Sequence, residues 1–377
     1  MKNIFVKLKS SVDWLLFGAI FFVSSFGIIT MNSFGEDNIF STRQLIWLFI
    51  STIVLFGASL VDWRFLRKTG YIVILFSISC ALLLFLFVAG SVFKGAKSWF
   101  DLGPFAFQPV DFAKITLILL LAKYFSRRHI EIANVRHIVV SGFYAFFVFM
   151  LVFLQPDFGS AIIIFSIWFA MILFSGVSKK HLAFVLVSGI VVSLSLWFFV
   201  LEDYQKQRIV SFINPLADLS GAGYNAYQST IAVGSGEIFG KGVGLGSQSK
   251  LQFLPEYETD FIFAAFSEEW GFVGVLIIFS LYGIIFWKII AISKKGSTNF
   301  ETLYGLGLGA FIFSHFVINV GMNIGLLPIT GITMPFMSYG GSHMVAEFFA
   351  IGILMGQKLS ARSVEKEKEK NEIVGVV

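Results

Sequence analysis

Residues 302–346 contain no Asp, Glu, Lys or Arg and are rich in Gly, Ile, Leu, Phe and Met. Such a stretch cannot lie on a water-facing surface. It is about twice the ~20 residues that one membrane crossing needs. The Gly- and Pro-rich segment around Pro328 and Pro335 divides it in two. Apolar runs of crossing length recur from Trp14 onward. In lipid the backbone groups must bond within their own segment, so these runs are read as helices. Expected spans lie near 14–34, 44–61, 71–93, 109–126, 138–155, 159–176, 182–201, 264–288, 303–326 and 341–358. The expected fold is therefore an all-α polytopic membrane protein of about ten helices. It forms one membrane domain over 1–377, with a large extracytoplasmic loop at 202–262 between helices 7 and 8 and a tail at 359–377.

Composition agrees and removes the main alternatives. Hydrophobic residues make up 56% of the chain and charged residues 14%. Soluble domains carry about 25% charged residues, so a water-soluble enzyme is excluded. The net charge of +5 reads as basic loops on an anionic leaflet rather than as a nucleic-acid surface. The lone Cys80 lies in an apolar run and cannot form an internal disulfide. Lys2, Lys7 and Lys9 precede the first run and no small-residue cleavage site follows it. That run is therefore read as a span, not a removable signal.

Lys and Arg set the orientation. The loops on the N-terminal side carry 20 of them and the opposite loops carry 7, with Lys114 inside a span. Both termini are expected in the cytoplasm. The tail Ser360–Lys370 alternates Glu and Lys and is read as a solvated helix or a disordered segment.

Charges that this pattern does not explain mark candidate chemistry. Lys94, Lys97, Lys206, Arg208, Lys241 and Lys250 lie on the outer side and as a group suit an anion such as phosphate. Asp111 and Lys114 are three residues apart, on one helical face, where they can pair within the membrane. Glu347 needs a partner that the sequence does not name. Asp157 follows Pro156 and reads either as a helix cap or as a carboxylate at a cavity mouth. The glycine-dense run 234–246 holds Lys241 but is no Walker loop, because Gly242 follows the lysine. It reads more readily as turns than as a ligand loop. His129, His137 and His181 are read as interfacial packing residues, and His315 and His343 as packing or helix-bonding residues.

The stretch 255–269 holds five carboxylates. Thr259 or Asp260 is expected to cap the eighth span. The sharper reading makes Asp260 a general base. Beside apolar Phe261 and Phe263 its charged form is disfavoured, which suits a group that must accept a proton.

Taken in order, the motifs resemble those of the SEDS family of bacterial membrane proteins (shape, elongation, division and sporulation). They include Lys94-Gly-Ala-Lys-Ser-Trp99, Gln108-Pro-Val-Asp-Phe-Ala-Lys114, Gln155-Pro-Asp-Phe-Gly159 and Arg208-Ile-Val-Ser-Phe-Ile-Asn-Pro215. Further along stand Gln228-Ser229, Leu254-Pro-Glu256, Thr259-Asp-Phe-Ile-Phe263, Asn319-Val-Gly-Met322 and Gly331-Ile-Thr-Met-Pro335. Trp99-Phe-Asp101 and Gly246-Ser-Gln-Ser-Lys250 resemble the elongation branch more than the division branch. Three positions depart from the family pattern: Glu258 stands where a His is usual, Asp111 where a Glu is usual and His315 where a Gln is expected.

The resemblance implies a peptidoglycan glycosyltransferase of the bacterial inner membrane. Its substrate would be lipid II, and its partner a class B penicillin-binding protein. In that reading Asp260 deprotonates the acceptor hydroxyl. Lys94, Lys97, Lys114, Arg208, Lys241, Gln228 and Ser229 are candidate contacts for substrate and pyrophosphate. Asp157, Glu256, Asp111 and Glu258 are supporting carboxylates. No organic cofactor is expected, and a divalent Mg or Mn beside the pyrophosphate is left open. The rival readings are a lipid II flippase and a non-catalytic scaffold for a transpeptidase. A flippase needs polar groups along the whole path across the bilayer, whereas here they gather on the outer half.

Overall fold

The computed structural model describes residues 2–33, 39–93, 96–101, 103, 106–127, 135–176, 179–199, 206, 210, 212, 222–251, 253–254 and 256–373. Helices form over every expected span: α2 (Trp14–Asn32), α3 (Ile39–Leu60), α4 (Thr69–Ala89), α5 (Pro109–Ser126), α6 (Val135–Phe153), α7 (Phe158–Phe174), α8 (Lys179–Phe199), α11 (Ile262–Lys294), α12 (Asn299–Asn323) and α13 (Gly341–Ile373). Between and before them lie α1 (Lys2–Ser11), α9 (Ala222–Ser235) and α10 (Ser247–Lys250). Six of these helices are long and apolar enough to cross a membrane by length and composition: α2, α3, α4, α6, α11 and α12. The 19 residues of α2 rise about 28 Å, close to the hydrocarbon thickness.

α5 and α12 form the centre. α5 is buried around its whole circumference, Asp111 and Lys114 included. It packs against α4 and α12, and α12 packs in turn against α7 and α11. A helix apolar on all sides belongs inside the bundle. The outer helices turn Phe toward lipid, as at Phe49 on α3 and Phe143 on α6. α13 runs along α3, and α2 runs along α11. Buried glycines allow these close approaches: a Cβ on Gly352 would lie 2.6 Å from that of Ala58.

The sequence reading is corrected at three places. The third span ends at Ala89, not 93, and the chain turns into a small antiparallel sheet of β1 (Ser91–Phe93), β2 (Ala96–Asp101) and β3 (Ala106–Phe107). This hairpin pairs residues that carry no clear alternation, so its signal was local turn chemistry rather than periodicity. The eighth span is broken at Gly271, which has φ 64° and ψ −166°. Its start is capped by neither Thr259 nor Asp260, since the cap residue is Phe261.

The break at Gly271 explains the glycine-dense run. An unbroken helix would bond Phe272 N–H to the Glu268 carbonyl and Val273 N–H to that of Glu269. Here Lys241 N–H and Gly242 N–H donate to those carbonyls, both at 3.0 Å, while Phe272 and Val273 donate to Glu237 and Ile238 at 2.9 and 3.1 Å. The loop backbone enters the helix ladder and satisfies the groups that the kink exposes. Irregular backbone at membrane depth needs such satisfaction. Only glycine fits: a Cβ on Gly271 would lie 2.2 Å from Gly240 N.

Candidate active site

Asp260 lies in a turn over residues 256–261, just before α11. Glu256 opens the turn with φ 52°, and its carbonyl accepts from Thr259 N–H at 3.1 Å and Phe261 N–H at 3.2 Å. Two asparagines one helical turn apart on α12 hold the Asp260 carbonyl: Asn319 Nδ2 at 2.9 Å and Asn323 Nδ2 at 3.0 Å. Phe261 and Phe263 are buried behind it. The carboxylate is half-buried and lies over Gly331, where a Cβ would come within 3.5 Å of Oδ2.

The segment 327–340, between α12 and α13, covers this turn. Ser338 Oγ donates to the Thr259 carbonyl at 2.6 Å, and Tyr339 N–H donates to that of Glu258 at 2.8 Å. Asn319 Nδ2 also donates to the Ile332 carbonyl at 2.7 Å. The first turn of α7 meets the same segment, because Gly159 lies against Thr330 and Ile332. Asp157 caps α7 by accepting from Ser160 N–H at 3.0 Å. The cap reading of Asp157 thus holds, and the residue stands at the end of α7 that borders the Asp260 segment. Burial, aided by the Glu258 carboxylate, raises the Tyr257 phenol above its ordinary value, which keeps it a neutral hydrogen-bonding group.

The same segment reaches a buried charged network. Lys114 Nζ lies 3.3 Å from Asp111 Oδ1, and His343 Nδ1 lies 3.1 Å from that oxygen. His343 Nε2 is 3.0 Å from Glu347 Oε1, close as an ion pair but not aligned as a hydrogen bond. The other Glu347 oxygen accepts from Phe336 N–H at 2.8 Å. His315 Nδ1 is 3.2 Å from the Thr333 carbonyl and must donate to it, which leaves Nε2 to accept from Lys114 at 3.4 Å. Buried charges persist only when paired in this way. Of the two roles expected for His315 and His343, the helix-bonding one holds: both bridge elements through polar contacts, and His343 is the partner that Glu347 required.

The candidate cations fall into different places. Lys97 Nζ donates to the Phe87 carbonyl at 2.8 Å, at the C-terminal end of α4. Lys241 Nζ pairs with buried Glu268 at 2.7 Å and donates to Ser247 Oγ at 2.8 Å. Both are thereby tied to the walls of this face. Lys94 and Arg208 lie outside the described residues. Ser229 Oγ donates to the Asn323 carbonyl at 2.9 Å and so supports the asparagine pair. Gln228 Oε1 and Thr330 Oγ1 are buried without a hydrogen-bond partner. Glu256 accepts from Thr259 Oγ1 at 3.2 Å. Among the described residues no three His, Cys, Asp or Glu side chains come together as a metal site.

Asn323 and Ser338 were not singled out from the sequence, and Asn319 and His343 were given no place in the site there. Asn319 and Asn323 are spaced i, i+4 in a charge-free span, as are His343 and Glu347 beside it. Polar pairs on one face of such a helix were the available signal.

Known proteins carry the same architecture. Residues 7–363 match the family model of FtsW, RodA and SpoVE, described as cell cycle protein. Over 301 residues the chain is 36% identical to the peptidoglycan glycosyltransferase MrdB of Escherichia coli, covering 78% of this chain and 80% of that protein. A chain from a peptidoglycan synthase complex, in which polymerization and crosslinking are coordinated, superposes with a TM-score of 0.80 at 27% identity, over 93% of this chain and 98% of that one. The rod shape determining protein RodA of Thermus thermophilus superposes with a TM-score of 0.69 at 27% identity, over 93% and 97%. With its motifs, its bundle and these relatives in agreement, the chain belongs to the FtsW/RodA/SpoVE family, the SEDS proteins.

Proposed function

We propose that this chain is a peptidoglycan glycosyltransferase that polymerises lipid II during cell elongation, with Asp260 as its general base. The observation that carries the reading is the placement of Asp260. Its backbone is locked by Asn319 and Asn323, and its carboxylate lies over Gly331, where an added Cβ would come within 3.5 Å of Oδ2. A base must be positioned before its pKa matters, and this turn is held from α12 and from the segment that follows it.

In the reaction the acceptor sugar hydroxyl attacks the anomeric carbon of the donor. A glycosidic C–O bond forms, the C–O bond to undecaprenyl pyrophosphate breaks, and the hydroxyl proton passes to Asp260. Pyrophosphate is a good leaving group, so no second carboxylic acid is needed to protonate it, unlike in glycoside hydrolysis. Lys94 and Arg208 are the cations proposed to stabilise the developing charge. Lys97 and Lys241 hold the walls around them. Lys114, with Asp111, His343 and Glu347, supports the segment that faces Asp260. The protein lies in the inner membrane with both termini in the cytoplasm and the Asp260 turn outside. It acts beside a class B penicillin-binding protein that crosslinks the product.

The test is glycan polymerisation on lipid II by the purified protein, with and without its partner, beside Asp260→Asn. Loss of about 10²–10⁴-fold is expected for removal of a general base. Polymer formed at the native rate by the folded variant would move the base elsewhere. No polymer from the native protein with its partner would favour translocation of lipid II, measured in vesicles.

A further inference from the structure

Arg67, Lys123 and Arg127 line a cavity of about 460 Å³ together with Ser126, Ser297 and Thr298–Phe300. The cavity lies on the face that carries the N-terminus, the face assigned to the cytoplasm by the distribution of Lys and Arg. Three elements build it: the 3-10 turn Trp63–Arg67, the C-terminal end of α5 and the start of α12.

Its charges are only partly matched. Arg67 pairs with Glu301 at 2.6 Å. Glu301 is 3% exposed, and its second oxygen accepts from Ser297 N–H at 2.8 Å and Ser297 Oγ at 2.9 Å. Lys123 donates to the Arg67 carbonyl, a neutral partner, and stands 5.9 Å from the centre of the Phe300 ring. It feels the charges of both Arg67 and Arg127. Arg67 Nε is buried without a hydrogen-bond partner. Among the described residues, three cations stand against one carboxylate and repel one another in a partly buried cavity, and an entering anion relieves that repulsion. The start of α12 adds direction. Thr298 caps it through Glu301 N–H, and the amides of Asn299 and Phe300 head the helix at the cavity wall. A helix of 25 residues presents partial positive charge at that end.

We propose that this cavity binds a phosphate-bearing anion. The planar Arg forks and the Lys point charge both suit phosphate oxygens. The cavity lies at the membrane boundary, so an anionic lipid headgroup and a soluble phosphate compound both present the required group. The site is on the face opposite the Asp260 turn and does not depend on the glycosyltransferase reading.

The test uses the full chain in neutral detergent. Inorganic phosphate, short-chain phosphatidylglycerol and short-chain phosphatidylcholine are titrated separately, and binding is read by calorimetry and by the shift in melting temperature. Preference for phosphatidylglycerol over phosphatidylcholine identifies a lipid headgroup. Saturable binding of inorganic phosphate without that preference identifies a soluble source. In either case Lys123→Gln and Arg127→Gln weaken binding about fivefold for each charge removed. Arg127 is exposed, so its variant keeps the fold. Lys288→Gln removes a charge from the same face that pairs with Asp13 away from the cavity, and it leaves binding unchanged. The proposal is overturned if no probe binds saturably, if the cavity variants bind like the native chain, or if Lys288→Gln weakens binding as much as they do.

Discussion

One nitrogen, Asn319 Nδ2, joins the carbonyl of Asp260 at 2.9 Å to the carbonyl of Ile332 at 2.7 Å. The turn that carries the proposed base and the segment that faces it are thereby tied through a single side chain on α12. Asn323 repeats the contact to Asp260 and is itself held by Ser229. The backbone of the proposed base is thus held from α12, and its carboxylate lies over Gly331.

Asn319→Asp keeps the shape of the side chain and removes the donor. The buried Ile332 carbonyl then loses this donor, at about 1–3 kcal/mol, while the Asp260 carbonyl keeps only Asn323. The expected result is a fall in kcat of at least about tenfold with a smaller change in KM, because a positioning residue acts on geometry in the transition state. Steady-state kinetics on lipid II check this. An unchanged kcat would remove Asn319 from the positioning of the base.

Gly331 has φ 71°, and a Cβ there would touch Asp260 Oδ2 at 3.5 Å. Gly331→Ala therefore adds strain of about 1–2 kcal/mol and places a methyl group against the carboxylate of the proposed base. Activity should fall by more than the loss in melting temperature explains. Measuring both on one preparation separates the two effects.

His343 stands between Asp111 and Glu347. His343→Leu removes the bridge and leaves two buried carboxylates short of a partner, an arrangement that costs about 3–5 kcal/mol. Adding Glu347→Gln to that variant should recover part of the loss, because one of the stranded charges is gone. A double-mutant cycle on thermal unfolding in detergent measures the coupling. Simple additivity would mean that the pair does not interact.

Two glycines of α11 should respond in opposite ways. Gly283 has nothing within 4 Å of an added Cβ, and Gly283→Ala should stabilise the chain by up to about 1 kcal/mol. At Gly271 the added Cβ would meet Gly240 N at 2.2 Å, so Gly271→Ala should expel the inserted loop and lower the melting temperature. Limited proteolysis of the 236–246 loop should accelerate only in the second variant.

Much of the fold was legible because lipid imposes one rule: long uncharged runs must become helices. The ten runs read from hydropathy meet ten helices; the tenth runs on past the expected end at 358 to Ile373, through the segment read as the tail. The Asp111–Lys114 pair was equally readable, since both residues sit on one helical face. His343 was not, because its two partners lie on different elements: Asp111 on α5 and Glu347 one turn along α13. Lys241 illustrates the reverse. As a charge in a glycine-dense run it suggested a ligand contact, yet it neutralises Glu268, a residue whose need for a partner appears only once α11 breaks at Gly271.

The sequence by itself determined the membrane class, the spans, the charge asymmetry between the faces and the motifs that mark the family. These depend on composition and local periodicity, which the chain carries residue by residue. The tertiary structure alone decided how Asp260 is held. Residues 229, 260 and the stretch 319–332 are far apart in the chain and come together because buried carbonyls and amides must find partners where water is absent. That requirement acts between elements, so no window of sequence displays it.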